Sequence, residues 1–228
     1  MFAIFPLGKK GSTGIPIITI FICVVCAIVY AFANTERDQL ALSYYPHSFD
    51  VLKMFTSSIA HGSLLHLVGN LFFFYCFART VETQISIVGY LFAFVLFVFA
   101  TNLAYDFSAK EPIPTLGLSG VVWGYMGIFL MRYPGDRIDC FVWCFWIFKT
   151  IEVPALIFIL AFLAFDVASY RHVEDTGVNY VAHFSGFACG VLFKLLFWKL
   201  FTTEKPEPKK KAPFVLRPAP PRQPRGGR

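Results

Sequence analysis

Charge is what this chain has least of. Only 15% of its 228 residues are Asp, Glu, Lys or Arg, where a soluble globular domain carries about a quarter. The shortage is uneven, because long apolar runs alternate with short polar breaks, and that pattern excludes a soluble domain in favour of a polytopic membrane protein. A disulfide framework is lacking too. The six cysteines (Cys23, Cys26, Cys76, Cys140, Cys144 and Cys189) lie in or beside apolar runs, and Cys23-x-x-Cys26 has no basic residue near it, so both read as small core residues and not as a redox pair. The first apolar run lacks a small-residue cleavage pattern and is too long for a secretory signal, so it reads as a retained helix. No internal duplication is visible, which argues against a transporter built on paired broken helices. The net charge of +6 comes mainly from the C-terminal tail, which speaks for contact with anionic lipid headgroups and against a nucleic-acid reader.

What is abundant is apolar and aromatic: 57% of residues are hydrophobic and 18% aromatic. The apolar runs, at about 15–33, 62–81, 86–105, 119–132, 153–170 and 180–200, predict six membrane spans in an all-α protein. Residues 1–14 form a short N-terminal segment, 15–200 one membrane domain, and 201–228 a basic, proline-rich tail without the apolar content to fold. The polar loop 34–60 keeps enough apolar residues to have some fold of its own. The stretch 133–152, around Phe141 to Phe148, is too short to span and is expected to be interfacial or re-entrant. Glu82 is expected to pin the inner end of the second span, and Glu152 the start of the fifth. Six spans put both termini on one side. That side carries Lys9, Lys10, Arg79, Arg132, Arg137, Lys149, Lys194 and Lys199 against Arg37, Lys53, Lys110 and Arg171 on the other, so both termini are expected in the cytoplasm and the protein in the plasma (inner) membrane.

The fourth run is the odd one. From Ser119 to Arg132 it is four turns, roughly 21 Å at 1.5 Å per residue, too short for a hydrocarbon core of roughly 30 Å. Ser119 must therefore start its helix at depth, where irregular backbone is tolerated only inside protein or at a water-filled cavity. The run reads Gly117-Leu118-Ser119-Gly120, and a serine there meets free backbone N–H groups at the positive end of the helix dipole. Such a serine is either a helix N-cap or a nucleophile whose oxyanion has donors in place.

The second, fourth and sixth spans run in the same direction, and each carries its polar residues in its first half: His66 and Asn70, Ser119, and His183. His66 and Asn70, four apart, share a face. Gly117, Gly120, Gly124 and Gly127 draw a glycine stripe down the fourth span, and Gly186 and Gly190 share a face with His183 on the sixth. Such stripes let membrane helices approach closely, which brings His183 within reach of Ser119, with Trp123 packed against its ring. His183 then acts as general base to Ser119, while His66, Asn70 and the Ser119 N–H serve the oxyanion. Asp166 is a candidate to orient the histidine by depth, but it reads better as a helix-end polar group, so a dyad is expected and not a triad. His61, at the membrane edge, is expected to order the loop before Ser119. It is five residues from His66 and expected to point elsewhere, and no carboxylate or thiol completes a metal site, so neither a metal nor a cofactor is expected.

His61-x4-His66-x3-Asn70, Gly117-x-Ser119-Gly120 and Ala182-His183-x2-Gly186-x3-Gly190 together resemble the rhomboid family of intramembrane serine proteases, over about residues 15–200. The resemblance implies a six-transmembrane-helix rhomboid fold with a water-filled cavity open to the outer side. It also implies a serine nucleophile at Ser119, a general base at His183, and an oxyanion hole served by His66 and Asn70. Trp123 stands where the family commonly has tyrosine, and the first loop lacks the family's frequent Trp-Arg pair. The expected activity is an endopeptidase that cuts single-pass transmembrane proteins within or next to their membrane helix. The alternative is a rhomboid-like pseudoprotease that binds membrane clients without cutting them, although such relatives usually lack the serine or the histidine.

Overall fold

The computed structural model describes residues 2–8, 14–33, 35–144, 147–170 and 177–203. Lys9, Lys10 and most of the basic tail lie outside them. The described chain is mostly helical: α1 (Ile17–Phe32), α2 (Glu36–Leu42), α3 (Val51–Ile59), α4 (Leu64–Glu82), α5 (Ile87–Ser108), α6 (Ser119–Arg132), α7 (Ala155–Ser169), α8 (Tyr180–Leu196) and the short α9 (Trp198–Phe201). The polar loop 34–60 folds into α2 and α3. Thr35, Asp50, Ser63, Ser86 and Asn179 cap α2, α3, α4, α5 and α8, each accepting from the backbone N–H three residues on. These caps satisfy donors that a helix start otherwise leaves orphaned.

Among the described helices, α4 and α5 are individually long and apolar enough to cross a membrane, while α1, α7 and α8 are apolar but shorter. Large apolar side chains stand exposed on their outer faces, including Phe32, Val68, Val88, Phe165 and Leu196. A monomeric soluble surface rarely tolerates so much exposed apolar area.

α6 is the centre. Every residue from Gly120 to Leu130 is buried, enclosed by α4, α5 and α8. Against α8 the fit is backbone on backbone. A Cβ on Gly186 would fall 2.1 Å from the carbonyl oxygen of Gly120, and one on Gly127 would fall 2.5 Å from that of Phe187. The glycines are thus a steric requirement of the helix pair, which gains packing along its whole length by carrying no side chain there. The face of Gly124 turned to α5 is filled instead by the Phe97 ring.

The all-α expectation is corrected by a three-stranded antiparallel sheet in the order β1-β2-β3: β1 (Phe2–Gly8), β2 (Arg137–Cys144) and β3 (Ile147–Pro154). The segment expected to be re-entrant pairs with itself, Ile138 opposite Val153 and Cys140 opposite Ile151, and with the N-terminal strand. Its β-branched and aromatic residues suit a pleated surface, and two strands plus a third satisfy the backbone groups that a dipping loop would leave unpaired. Glu152 accordingly lies within β3 opposite Asp139, with its carboxylate 3.9 Å from the Arg137 guanidinium on the neighbouring strand, instead of capping the next helix. Glu82 pins a different helix from the one expected. Its carboxylate accepts from the N–H groups of Ile18 (2.9 Å) and Thr19 (2.8 Å) and from the Thr19 hydroxyl (2.6 Å), closing the start of α1.

Candidate active site

The first turns of α4, α6 and α8 meet at a cavity of about 590 Å³. The loop leading into α6 is fixed from three directions. Tyr44 and Thr115 exchange backbone hydrogen bonds (3.0 and 2.9 Å), the Gly117 N–H donates to the Ser57 carbonyl (2.8 Å), and the Asn179 amide donates to the Thr115 hydroxyl (3.2 Å). Gly117 takes φ +126°, and a side chain there would run into the His66 ring 2.7 Å away. This glycine answers both to backbone conformation and to space.

Ser119 is the first residue of α6, and Leu118 holds the cap position without a side-chain hydrogen bond. The N-cap reading of Ser119 is therefore not what the fold uses. Its Oγ lies 2.9 Å from Nε2 of His183 instead. His183, in the first turn of α8, is buried. Trp123, one turn below Ser119, lies against the imidazole at 5.8 Å between ring centroids with the planes tilted by 34°, and Tyr180 meets it edge-on at 5.9 Å. Two aromatic neighbours at these distances restrict how the ring can turn.

Sequence reasoning set Asp166 aside. In the structure it lies in the last turn of α7 as expected, but it is buried, with its Oδ2 2.6 Å from Nδ1 of His183. The signal was present as the single charged residue of α7, whose sequence is ALIFILAFLAFDVAS. Depth alone could not show that it turns inward.

His66 and Asn70 line the same cavity as Ser119 and His183. The Asn70 amide donates to the His66 carbonyl (2.9 Å), which leaves its second N–H for another acceptor. His61 stays outside the cavity lining. Its ring lies 5.2 Å edge-on from that of His66, closer than the sequence spacing led one to expect, and Nε2 accepts a long 3.5 Å contact from the Leu118 N–H. Burial, with the His66 ring a lesser influence, pulls the His61 imidazole down from 6.5 to about 4. Among the described residues no group of three or more His, Cys, Asp and Glu is arranged to hold a metal ion.

A second, more apolar cleft of about 310 Å³ adjoins the first between α4, α6 and α7, lined by Leu65, Phe73, Val122, Trp123, Met126 and Phe162. Ser119, His66, Asn70 and His183 border both spaces. A hydroxyl within hydrogen-bond reach of an imidazole can pass its proton as it attacks an electrophile. Here that pair lies between the larger cavity and the apolar cleft.

Comparison with known proteins gives this geometry a context. A model of the Rhomboid domain matches residues 48–200. The chain is 22% identical over 200 residues to the Rhomboid protease GlpG of Haemophilus influenzae, covering 85% of this chain and 95% of that protein. It is 31% identical over 126 residues to the Rhomboid protease GlpG of an Enterobacter species, covering 52% of this chain and 44% of that one. With the domain match spanning more than half of its length, the chain belongs to the rhomboid family.

Proposed function

We propose that this rhomboid-family member, an integral multi-pass membrane protein, is a serine endopeptidase that cleaves single-pass transmembrane proteins within or next to their membrane helix. One observation carries the reading: the 2.9 Å contact between the Ser119 hydroxyl and His183, at a polar cavity reached by the first turns of three packed helices. The relatives named rhomboid proteases support an intramembrane protease.

In this mechanism the Ser119 Oγ attacks the scissile carbonyl carbon while Nε2 of His183 takes its proton. The carbonyl oxygen gains the electron pair and is met by the Ser119 N–H at the uncapped start of α6, with His66 and Asn70 as side-chain donors. Collapse of the tetrahedral intermediate breaks the C–N bond, and His183 protonates the departing amine. A water then attacks the acyl-Ser119 ester as His183 takes its proton, and His183 passes that proton to the departing Ser119 Oγ, releasing the new carboxyl end and restoring the serine. Trp123 keeps the imidazole in place throughout.

A helical substrate hides its carbonyls within its own hydrogen bonds, so it must unwind before attack. Segments with small or helix-weakening residues near the cut are the expected substrates. The domain comprises residues 15–200, with α1, α4, α5, α6, α7 and α8 as six spans. Both termini face the cytoplasm in the plasma membrane, and the basic tail 201–228 lies near anionic headgroups. The test is cleavage of a single-pass substrate in liposomes by wild type, Ser119→Ala and His183→Ala. Loss in both variants is expected, together with fluorophosphonate labelling of wild type and not of Ser119→Ala. Equal cleavage by all three removes the assignment.

A further inference from the structure

We propose that Asp166 is a positioning residue for His183, completing a Ser119–His183–Asp166 chain whose acidic member comes from α7. The inference rests on the protease reading above and extends it from two residues to three.

Burying a carboxylate among apolar side chains costs several kcal/mol unless it is paired. Asp166 is the one ionisable residue in α7, and its Oδ2 meets His183 Nδ1 at 2.6 Å. An intramembrane carboxylate held in this way asks for a reason beyond packing. The chemistry of the pair supplies one. An ionised carboxylate can only accept, so Nδ1 must carry the proton and donate it to Oδ2. Nε2 is then left with its lone pair, and the Ser119 hydroxyl, 2.9 Å away, is the donor on that side. A single contact thus selects the tautomer in which His183 can act as a base. The same carboxylate steadies the imidazolium that forms once the serine proton arrives.

The groups facing the ring come from four helices: His66 on α4, Ser119 and Trp123 on α6, Asp166 on α7, and Tyr180 on α8 itself. Among these Asp166 is the only acid. Its helix is attached differently from the others. Ser119 and His183 sit on the glycine-locked pair α6 and α8, whereas α7 leans on α4 through rings, Phe162 on Phe73 at 5.2 Å and Phe158 on Phe73 at 6.2 Å. The base therefore has its partner only while α7 stays packed.

The experiment compares wild type, Asp166→Asn, Asp166→Ala and Asp166→Glu in detergent or liposomes, with melting curves to confirm folding. The Asn and Ala variants are expected to lose roughly 10²- to 10⁴-fold in kcat with KM little changed. The Glu variant is expected to recover part of the rate. Wild-type kcat in folded Asn and Ala variants would overturn the proposal while leaving Ser119 and His183 standing. Imidazole nitrogen NMR on wild type and on Ser119→Ala decides the contact without any activity. Protonated Nδ1 with a low-field proton, lost in Asp166→Ala, is expected, and an Nε2–H tautomer refutes the inference even if no substrate is cleaved.

Discussion

A methyl group on Gly190 would stand 1.9 Å from the carbonyl oxygen of Gly124 and 2.8 Å from its carbonyl carbon. No rotamer relieves such a clash, because both partners are backbone. Gly190→Ala must therefore push α8 away from α6, and Ser119 and His183 ride on those two helices. Overpacking of this kind costs about 1–3 kcal/mol. The expected outcome is a lower melting temperature together with a loss of cleavage larger than the loss of folded protein, because the 2.9 Å contact lengthens. Gly135→Ala is the control, since nothing lies within 4 Å of the added methyl. Wild-type melting and cleavage in Gly190→Ala would contradict the close approach.

The mostly helical build and the α6–α8 pair were legible because apolar run length and glycine spacing act locally. The start of α6 at Ser119 and its pairing with α8 follow from such signals. Three features were not legible, each for a physical reason. The strands β2 and β3 were hidden because an aromatic, β-branched run of this length suits an interfacial segment and a sheet equally well, and the deciding partner, β1, lies more than a hundred residues away in the sequence. Glu82 was placed at the right end of the molecule, but its neighbours Ile18 and Thr19 come from α1, and α1 carries no glycine stripe to mark which helix stands beside it. Asp166 was visible as an ionisable residue, yet its rotation about α7 is set by the phenylalanines that pack α7 on α4.

The Glu82 cap gives a prediction about stability without chemistry. Glu82 receives three hydrogen bonds at the start of α1, and the Thr19 hydroxyl also lies 2.8 Å from that of Tyr90. Glu82→Gln replaces one acceptor oxygen by a donor and removes a negative charge from the positive end of the α1 dipole. Leaving a buried donor unmet costs about 1–3 kcal/mol. The melting temperature is expected to fall, while cleavage per folded molecule stays at the wild-type level because Glu82 lies far along α4 from His66. A variant as stable as wild type would show that α1 is held by its apolar face alone.

His61 makes stability depend on pH. The unfolded chain takes up a proton on this imidazole near 6.5, but the folded chain refuses it until about 4, because the charged form would be buried beside His66. Below 6.5 the unfolded state therefore binds more protons, and stability falls as the pH drops through that window. The slope reaches at most about 1.4 kcal/mol per pH unit for one proton. Above 6.5 the contribution is complete and flat. Melting temperatures measured from pH 7 down to pH 4 should decline more steeply for wild type than for His61→Gln, which cannot titrate but can still accept from the Leu118 N–H. Parallel curves would mean that His61 is protonated in the folded protein over this range, and the neutral ring against the Leu118 turn would have to be abandoned.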